Sequence, residues 1–92
     1  MAHEGSYTRS LDAAATPVGD RIVLYHRVSR TALVLNPTAG WMWNRLETAR
    51  TAADLASDLR QKHPSLSHAD AERDVTVFLV DLARHDFVSL RQ

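Results

Sequence analysis

The feature of this sequence that most limits its fold is one apolar stripe near the carboxyl end. Five residues recur at the spacing i, i+4, i+7, i+8 and i+11, namely Ala71, Val75, Phe78, Leu79 and Leu82. This spacing is typical of the face of an α-helix that packs against a core. Ser67, followed three residues later by Asp70, supplies a pattern that begins helices. The stripe therefore predicts a long helix from Ser67 to about His85.

Two shorter helices are predicted upstream of this stripe. The first begins at Asn36, whose side chain can cap a helix with Pro37 at its first position, and should run to about Glu47. The second begins with a near capping box at Thr51 and ends before Pro64.

Short β-branched and aromatic runs before the helices predict a small antiparallel sheet. The runs cover residues 14–18, 22–25 and 31–35, with a turn signal at Gly19 and a connection of hairpin length at residues 26–30. In this order the third strand lies at an edge. The predicted fold class is α+β and winged helix-turn-helix-like, with a three-stranded antiparallel sheet followed by three helices. Residues 1–12 show no period, and we expect a flexible tail before one domain at 13–92.

The apolar positions of these elements predict the core. One of Trp41 and Trp43 should be buried, and the other should be partly exposed or covered by the N-terminal tail. The other predicted core residues are Ile22, Leu24, Leu33, Leu35, Leu46, Leu55, Leu59, Val75, Leu79 and Leu82.

Composition excludes several classes of protein. The chain has 92 residues, 45% of them hydrophobic and 24% charged, which is typical of a single folded domain. The absence of cysteine excludes disulfides and cysteine-ligated zinc. No apolar run approaches the roughly 20 residues that span a bilayer. Residues 1–16 lack the features of a secretory signal, so we expect a cytoplasmic protein.

Catalytic and metal-binding patterns are also missing. The sequence has no Gly-x-Ser-x-Gly turn, and its three glycines do not build a phosphate-binding loop. His63 and His68 lie near one turn but lack the i, i+4 spacing of a helical ligand pair. We therefore expect neither an enzyme nor a metal or cofactor site.

A small winged-helix DNA-binding transcription factor is the main alternative, and an accessory structural subunit is a second. The predicted helix from Ser67 to His85 has two arginines against four carboxylates, and the formal net charge of the chain is zero. A DNA-reading helix needs basic and amide side chains for phosphates and base edges. The charge pattern therefore disfavours binding to nucleic acid.

Three segments resemble one known family. They are Leu33–Ala39 with Trp43 and Leu46, Thr51–Ala56, and Asp74–Leu82 followed by Phe87-Val88. In order and spacing they are similar to PqqD-like proteins, the peptide chaperones or precursor-recognition elements of ribosomally made and post-translationally modified peptides. The resemblance covers about residues 14 to 90.

The resemblance implies a non-catalytic module for pyrroloquinoline quinone or lasso-peptide biosynthesis. Such modules bind the leader segment of a precursor peptide as an added strand on the third β-strand, beside the third helix. They present the precursor to a modifying enzyme such as a leader protease, a cyclase or a radical enzyme. The residues implied for peptide binding are Thr31, Ala32, Leu33, Val34 and Leu35 on the strand, and Asp74, Val77, Phe78 and Asp81 on the helix.

Overall fold

The computed structural model describes residues 5–91, which form nine elements. In chain order these are β1 (Ser6–Arg9), β2 (Ala13–Val18), β3 (Arg21–His26), β4 (Ala32–Leu35), α1 (Pro37–Arg45), β5 (Arg50–Thr51), α2 (Ala52–Lys62), α3 (His68–Arg84) and β6 (Val88–Arg91). The α+β class is confirmed. None of the helices in these residues is long and apolar enough to cross a membrane.

The main sheet consists of three antiparallel strands in the order β2-β3-β4. Its strands match the three predicted runs, and the third of them, β4, lies at an edge as expected. In the β3–β4 pair, Leu24 lies opposite Leu33, and Ile22 lies opposite Leu35. These inward positions alternate with exposed ones along β4, so one face of the strand packs on the core.

A second antiparallel sheet, in the order β5-β1-β6, was not predicted. The tail predicted over residues 1–12 is wrong for Ser6–Arg9, because these residues form β1 and pair with β6 along its whole length. Residues 1–4 of the predicted tail lie outside the described residues. The second sheet covers Trp43, because the Arg9 guanidinium lies 4.6 Å from the centre of its ring. Arg9 Nη2 also donates to the Trp43 carbonyl at 2.6 Å.

The helices begin at the residues that the capping patterns predicted. Asn36 Oδ1 accepts from the Ala39 N–H at 2.8 Å, Thr51 forms a complete capping box, and Ser67 accepts from the third residue of α3. The one clear difference lies at the end of α1. The helix stops at Arg45 rather than near Glu47, because Leu46 leaves helical geometry and its N–H bonds to carbonyls of the last turn.

The core lies between the helices and the inner face of the main sheet. Eight of the ten predicted core positions are buried, whereas Ile22 and Leu33 are half-buried and pack against the core from its rim. Trp43 is the buried tryptophan and Trp41 the partly exposed one. Met42 and Phe87, which are absent from that set of ten, are also buried.

Candidate functional site

A groove of about 490 Å³ runs between the edge strand β4 and helix α3. We call it the β4–α3 groove. Its lining comes from β4, from the start of α1 and from one flank of α3, and consists of Val34, Leu35, Asn36, Thr38, Ala39, Met42, Arg73, Asp74, Val77, Phe78, Asp81 and Leu82. The buried residues of this lining, Leu35, Met42, Phe78 and Leu82, are apolar and form the floor of the groove. Its charged side chains all come from α3.

The backbone of β4 presents alternate residues to the two sides of the strand. The His26 N–H donates to the Thr31 carbonyl at 2.9 Å, which identifies these two residues as a hydrogen-bonded pair. Antiparallel pairs alternate between hydrogen-bonded and non-hydrogen-bonded positions. Within β4, Leu33 and Leu35 therefore direct their backbone groups to β3. Ala32 and Val34 direct theirs to the open edge, where no other strand of residues 5–91 pairs.

The α3 wall combines apolar and acidic side chains. Phe78 is buried and closes the floor, while Val77 is 64% exposed beside it. Asp74 and Asp81 lie three residues before and four residues after Val77, which places all three on one flank of the helix. This flank is outward because the inward face of α3 is occupied by the predicted stripe.

Charges around this wall are partly compensated. Arg73 lines the groove, but its Nη2 donates to Asp70 Oδ1 at 2.8 Å. His85 Nδ1 lies 2.9 Å from the Asp81 carbonyl oxygen and 3.7 Å from its carboxylate. Asp74 and Asp81 therefore give the groove an acidic rim over an apolar floor.

The connection between β3 and β4 fixes where the edge strand lies. Arg30 adopts a left-handed backbone conformation with φ of 62° and its N–H donates to the His26 carbonyl at 2.8 Å. The buried His26 ring accepts through Nδ1 from the N–H groups of Val28 and Ser29, at 3.3 and 3.1 Å. The turn is thus closed by three hydrogen bonds to one residue.

Six of the nine predicted site residues line the groove. These are Val34, Leu35, Asp74, Val77, Phe78 and Asp81. Thr31 precedes β4, Ala32 lies on the strand outside the groove, and Leu33 packs against the core.

The α1 side of the groove was missed by the sequence analysis. Thr38, Ala39 and Met42 form it. Ala39 and Met42 are three residues apart and so share a helix face, which is the one signal that could have indicated them. The angle between β4 and α1, which turns that face to the groove, is not encoded in the spacing.

The two histidines considered as metal ligands lie at the ends of two different helices. His63 caps the end of α2, and His68 Nε2 pairs with Glu72 at 2.8 Å. No group of three or more potential ligand side chains capable of holding a metal ion occurs in residues 5–91.

The chain shares its fold and its sequence pattern with known proteins. Among solved structures it is similar to TbiB1 in complex with the TbiA(beta) leader peptide, with a TM-score of 0.72 and 21% identity over 89% of this chain and 94% of the other. No curated protein matches the sequence. The family model described as coenzyme PQQ synthesis protein D (PqqD) matches residues 21–88. Since this match extends from β3 to the start of β6, the chain belongs to the PqqD family.

Proposed function

We propose that this protein binds the leader segment of a ribosomally made precursor peptide and presents it to a modifying enzyme in the cytoplasm. The leader adds to β4 as a further strand and its side chains enter the β4–α3 groove. The protein itself catalyses no reaction. It raises the local concentration of the precursor beside the enzyme, an effect that depends on tethering and needs no new chemistry.

The open edge of β4 is the observation that carries this proposal. A strand edge offers N–H and C=O groups that pair readily with an extended peptide. On β4 these groups belong to Ala32 and Val34, and the adjoining groove accepts side chains of the added strand. Backbone pairing supplies affinity, and the groove supplies selectivity.

The other edge of the main sheet is poorly suited to the same task. By the same alternation, Ala13, Ala15 and Pro17 direct their backbone groups away from β3. The Ala13 N–H is already bonded to the Ser10 carbonyl at 3.2 Å, and Pro17 has no N–H. Proline on an edge strand is a common barrier to strand addition. The difference between the two edges favours binding at β4.

The chemistry of the groove indicates which leader residues would fit it. Val77 and Phe78 provide an apolar contact for an aliphatic or aromatic anchor. Asp74 and Asp81 favour a basic or hydroxyl-bearing neighbour and disfavour an acidic one. The same carboxylates argue against the DNA-binding alternative, because they lie on the exposed flank of α3 and would repel phosphates.

A direct binding experiment tests the proposal. The probe is a fluorescein-labelled peptide with the leader sequence of the precursor encoded beside this protein's gene, titrated at constant peptide concentration. We expect a dissociation constant between roughly tens of nanomolar and one micromolar. Part of the contact free energy is spent on ordering the peptide, which keeps the affinity in this range. No binding at high micromolar protein would overturn the function.

Strand addition is tested separately by N-methylation of single leader amides. If the leader pairs with β4, only every second amide donates to the edge, so affinity should fall with a period of two residues. The control is the same methyl group on the intervening amides, which point to solvent. Equal sensitivity at neighbouring amides would exclude strand addition while leaving the groove as the binding site.

A further inference from the structure

Two unusually exposed aliphatic side chains lie on neighbouring turns at one end of the main sheet. Val28 is 71% exposed at the turn, and Leu11, in the turn between β1 and β2, is 95% exposed. These are the two highest exposures among the large hydrophobic residues of the described chain. Single exposed aliphatic residues are common, and here the two most exposed lie on turns that are hydrogen-bonded to each other. We call Leu11, Asp12 and residues 27–30 the hairpin tip.

Hydrogen bonds hold the two turns of the hairpin tip together. The Arg27 N–H donates to the Asp12 carbonyl at 2.9 Å, and Arg27 Nη1 donates to the Leu11 carbonyl at 3.1 Å. His26 Nδ1 accepts hydrogen bonds from the N–H groups of Val28 and Ser29, which fixes the positions of these two residues. The aliphatic side chains therefore stand on an ordered backbone, which lowers the entropy cost of contact with a partner.

The hairpin tip is also basic. Arg27 and Arg30 are exposed, and neither takes part in a salt bridge with another side chain of residues 5–91. Asp12 offsets one of these two charges. An apolar centre beside arginine resembles the composition of protein interfaces, where Arg is enriched and Lys is depleted.

The hairpin tip lies near the start of β4, the strand that borders the groove. The tip ends at Arg30, two residues before β4 begins, whereas the groove begins at Val34, about 13 Å further along the chain at ~3.3 Å per residue. A peptide added to β4 therefore leaves the edge beside the tip at one of its ends. A partner held at the tip would receive the peptide there without covering the groove.

From this arrangement we infer that the hairpin tip docks the enzyme that modifies the bound precursor. Its counterpart on the enzyme is an apolar depression, filled by Leu11 and Val28, with carboxylates at its rim that face Arg27 and Arg30. This inference rests on the proposed function, since it assumes that a peptide occupies β4. It assigns peptide capture and enzyme docking to two separate surfaces.

A lipid surface fits the hairpin tip less well. The two aliphatic side chains contain about half the carbons of a myristoyl chain, which alone gives only marginal membrane binding. A second copy of this protein fits less well too, because two basic tips would repel each other. Both occupants are outcomes of the test.

The experiment uses the double variant Leu11→Ser/Val28→Ser with the full chain. The probes are the labelled leader peptide and, separately, the purified enzyme encoded beside the precursor gene. We expect at least tenfold weaker binding to the enzyme and an unchanged affinity for the leader. The matched control is Val18→Ser/Leu90→Ser, which removes one valine and one leucine that are about half exposed elsewhere. It should bind both probes like the wild type.

A second variant tests the charge at the tip. Arg30→Asn removes the cation without straining the backbone, because asparagine tolerates a positive φ. We expect the association rate with the enzyme to fall about threefold at low ionic strength, and this difference to shrink in high salt.

Several results would overturn the inference. They are unchanged enzyme binding by the double variant, equal losses in the double variant and its control, or tip-dependent binding to phosphatidylglycerol vesicles. Tip-dependent dimerisation in sedimentation experiments would overturn it as well. Failure of the wild type to bind the leader would instead refute the proposed function, so the two failures are distinguishable.

Discussion

The imidazole of His26 determines the conformation of the turn that leads into the edge strand. It is 6% exposed, its ring packs edge-on against Phe87 at 5.9 Å, and Nδ1 accepts two backbone N–H groups. The neutral tautomer with its proton on Nε2 is the form that can accept both. One side chain therefore joins the core, the hairpin tip and the start of β4.

Replacement of His26 by alanine should destabilise the protein. The N–H groups of Val28 and Ser29 would lose their acceptor, and Phe87 would lose a packing partner. We expect a cost of about 1–3 kcal/mol in urea unfolding and faster hydrogen exchange at these two amides. His63→Ala removes an exposed histidine and serves as the control. Unchanged exchange at both amides would show that the turn does not depend on the imidazole.

Substitution of Val77 tests whether the groove binds the leader and leaves the core intact. Because the side chain is 64% exposed, Val77→Arg should change the stability by no more than about 0.5 kcal/mol. It should weaken leader binding at least tenfold, or roughly 1.4 kcal/mol, since a solvated charge would occupy the place of an apolar contact.

The control for this variant is Thr76→Arg, one residue earlier on α3. Thr76 is exposed but does not line the groove. Titration of labelled leader should give an affinity within about threefold of the wild type. Equal losses from both variants would mean general damage to α3, and no loss from Val77→Arg would place the peptide elsewhere.

Residues of α3 were predictable because helical period alone decides which side chains point inward. The inward stripe and the outward flank with Asp74, Val77 and Asp81 both follow from it. The role of His26 was not predictable in the same way. Its function as an acceptor depends on a turn conformation, and the sequence of residues 26–30 contains no motif that indicates this conformation.

At the scale of elements, local signals and distant pairings behave differently. Helix starts depend on residues within three positions of each other, and Asn36, Thr51 and Ser67 were all correctly predicted as caps. Strand β1 depends on partners about forty and eighty residues away, in β5 and β6. The four residues of β1 show no pattern that indicates which strands they pair with, which is why the segment was predicted as a tail.

Deletion of residues 2–9 tests whether β1 stabilises the fold or is a dispensable tail. It removes the pairing partner of β6 and the Arg9 contacts with Trp43, so we expect a loss of at least ~1 kcal/mol. In a domain of this size that loss lowers the melting temperature by roughly 4–8 °C. Deletion of residues 2–4 alone is the control, because it leaves β1 intact. Identical melting of both truncations and the full chain would contradict a structural role for β1.

At the scale of the whole molecule, the groove depends on elements that meet only in the folded chain. Strand β4 and the groove-lining part of α3 are separated by about forty residues, and both could be assigned from the sequence with help from the family resemblance. The α1 wall could not, because it depends on how α1 packs between them. Fold class and edge strand were therefore predictable, while the shape of the groove was not.

The core that holds β4 and α3 together should be sensitive to single truncations. Leu79 is 2% exposed at the centre of the α3 stripe, so Leu79→Ala should cost roughly 2–5 kcal/mol by loss of burial and formation of a cavity. A cost of this size is a large part of the stability of a small domain, typically about 5–15 kcal/mol. Val80→Ala is the matched control, because the adjacent valine is 50% exposed and its truncation should change little.

Urea unfolding of the two variants measures the difference in their stability. If binding requires the folded groove, leader peptide at about one hundred times its dissociation constant should restore about 2.7 kcal/mol of stability to Leu79→Ala. Equal unfolding midpoints for the two alanine variants would show that the inward face of α3 is assigned incorrectly, and with it the outward flank that lines the β4–α3 groove.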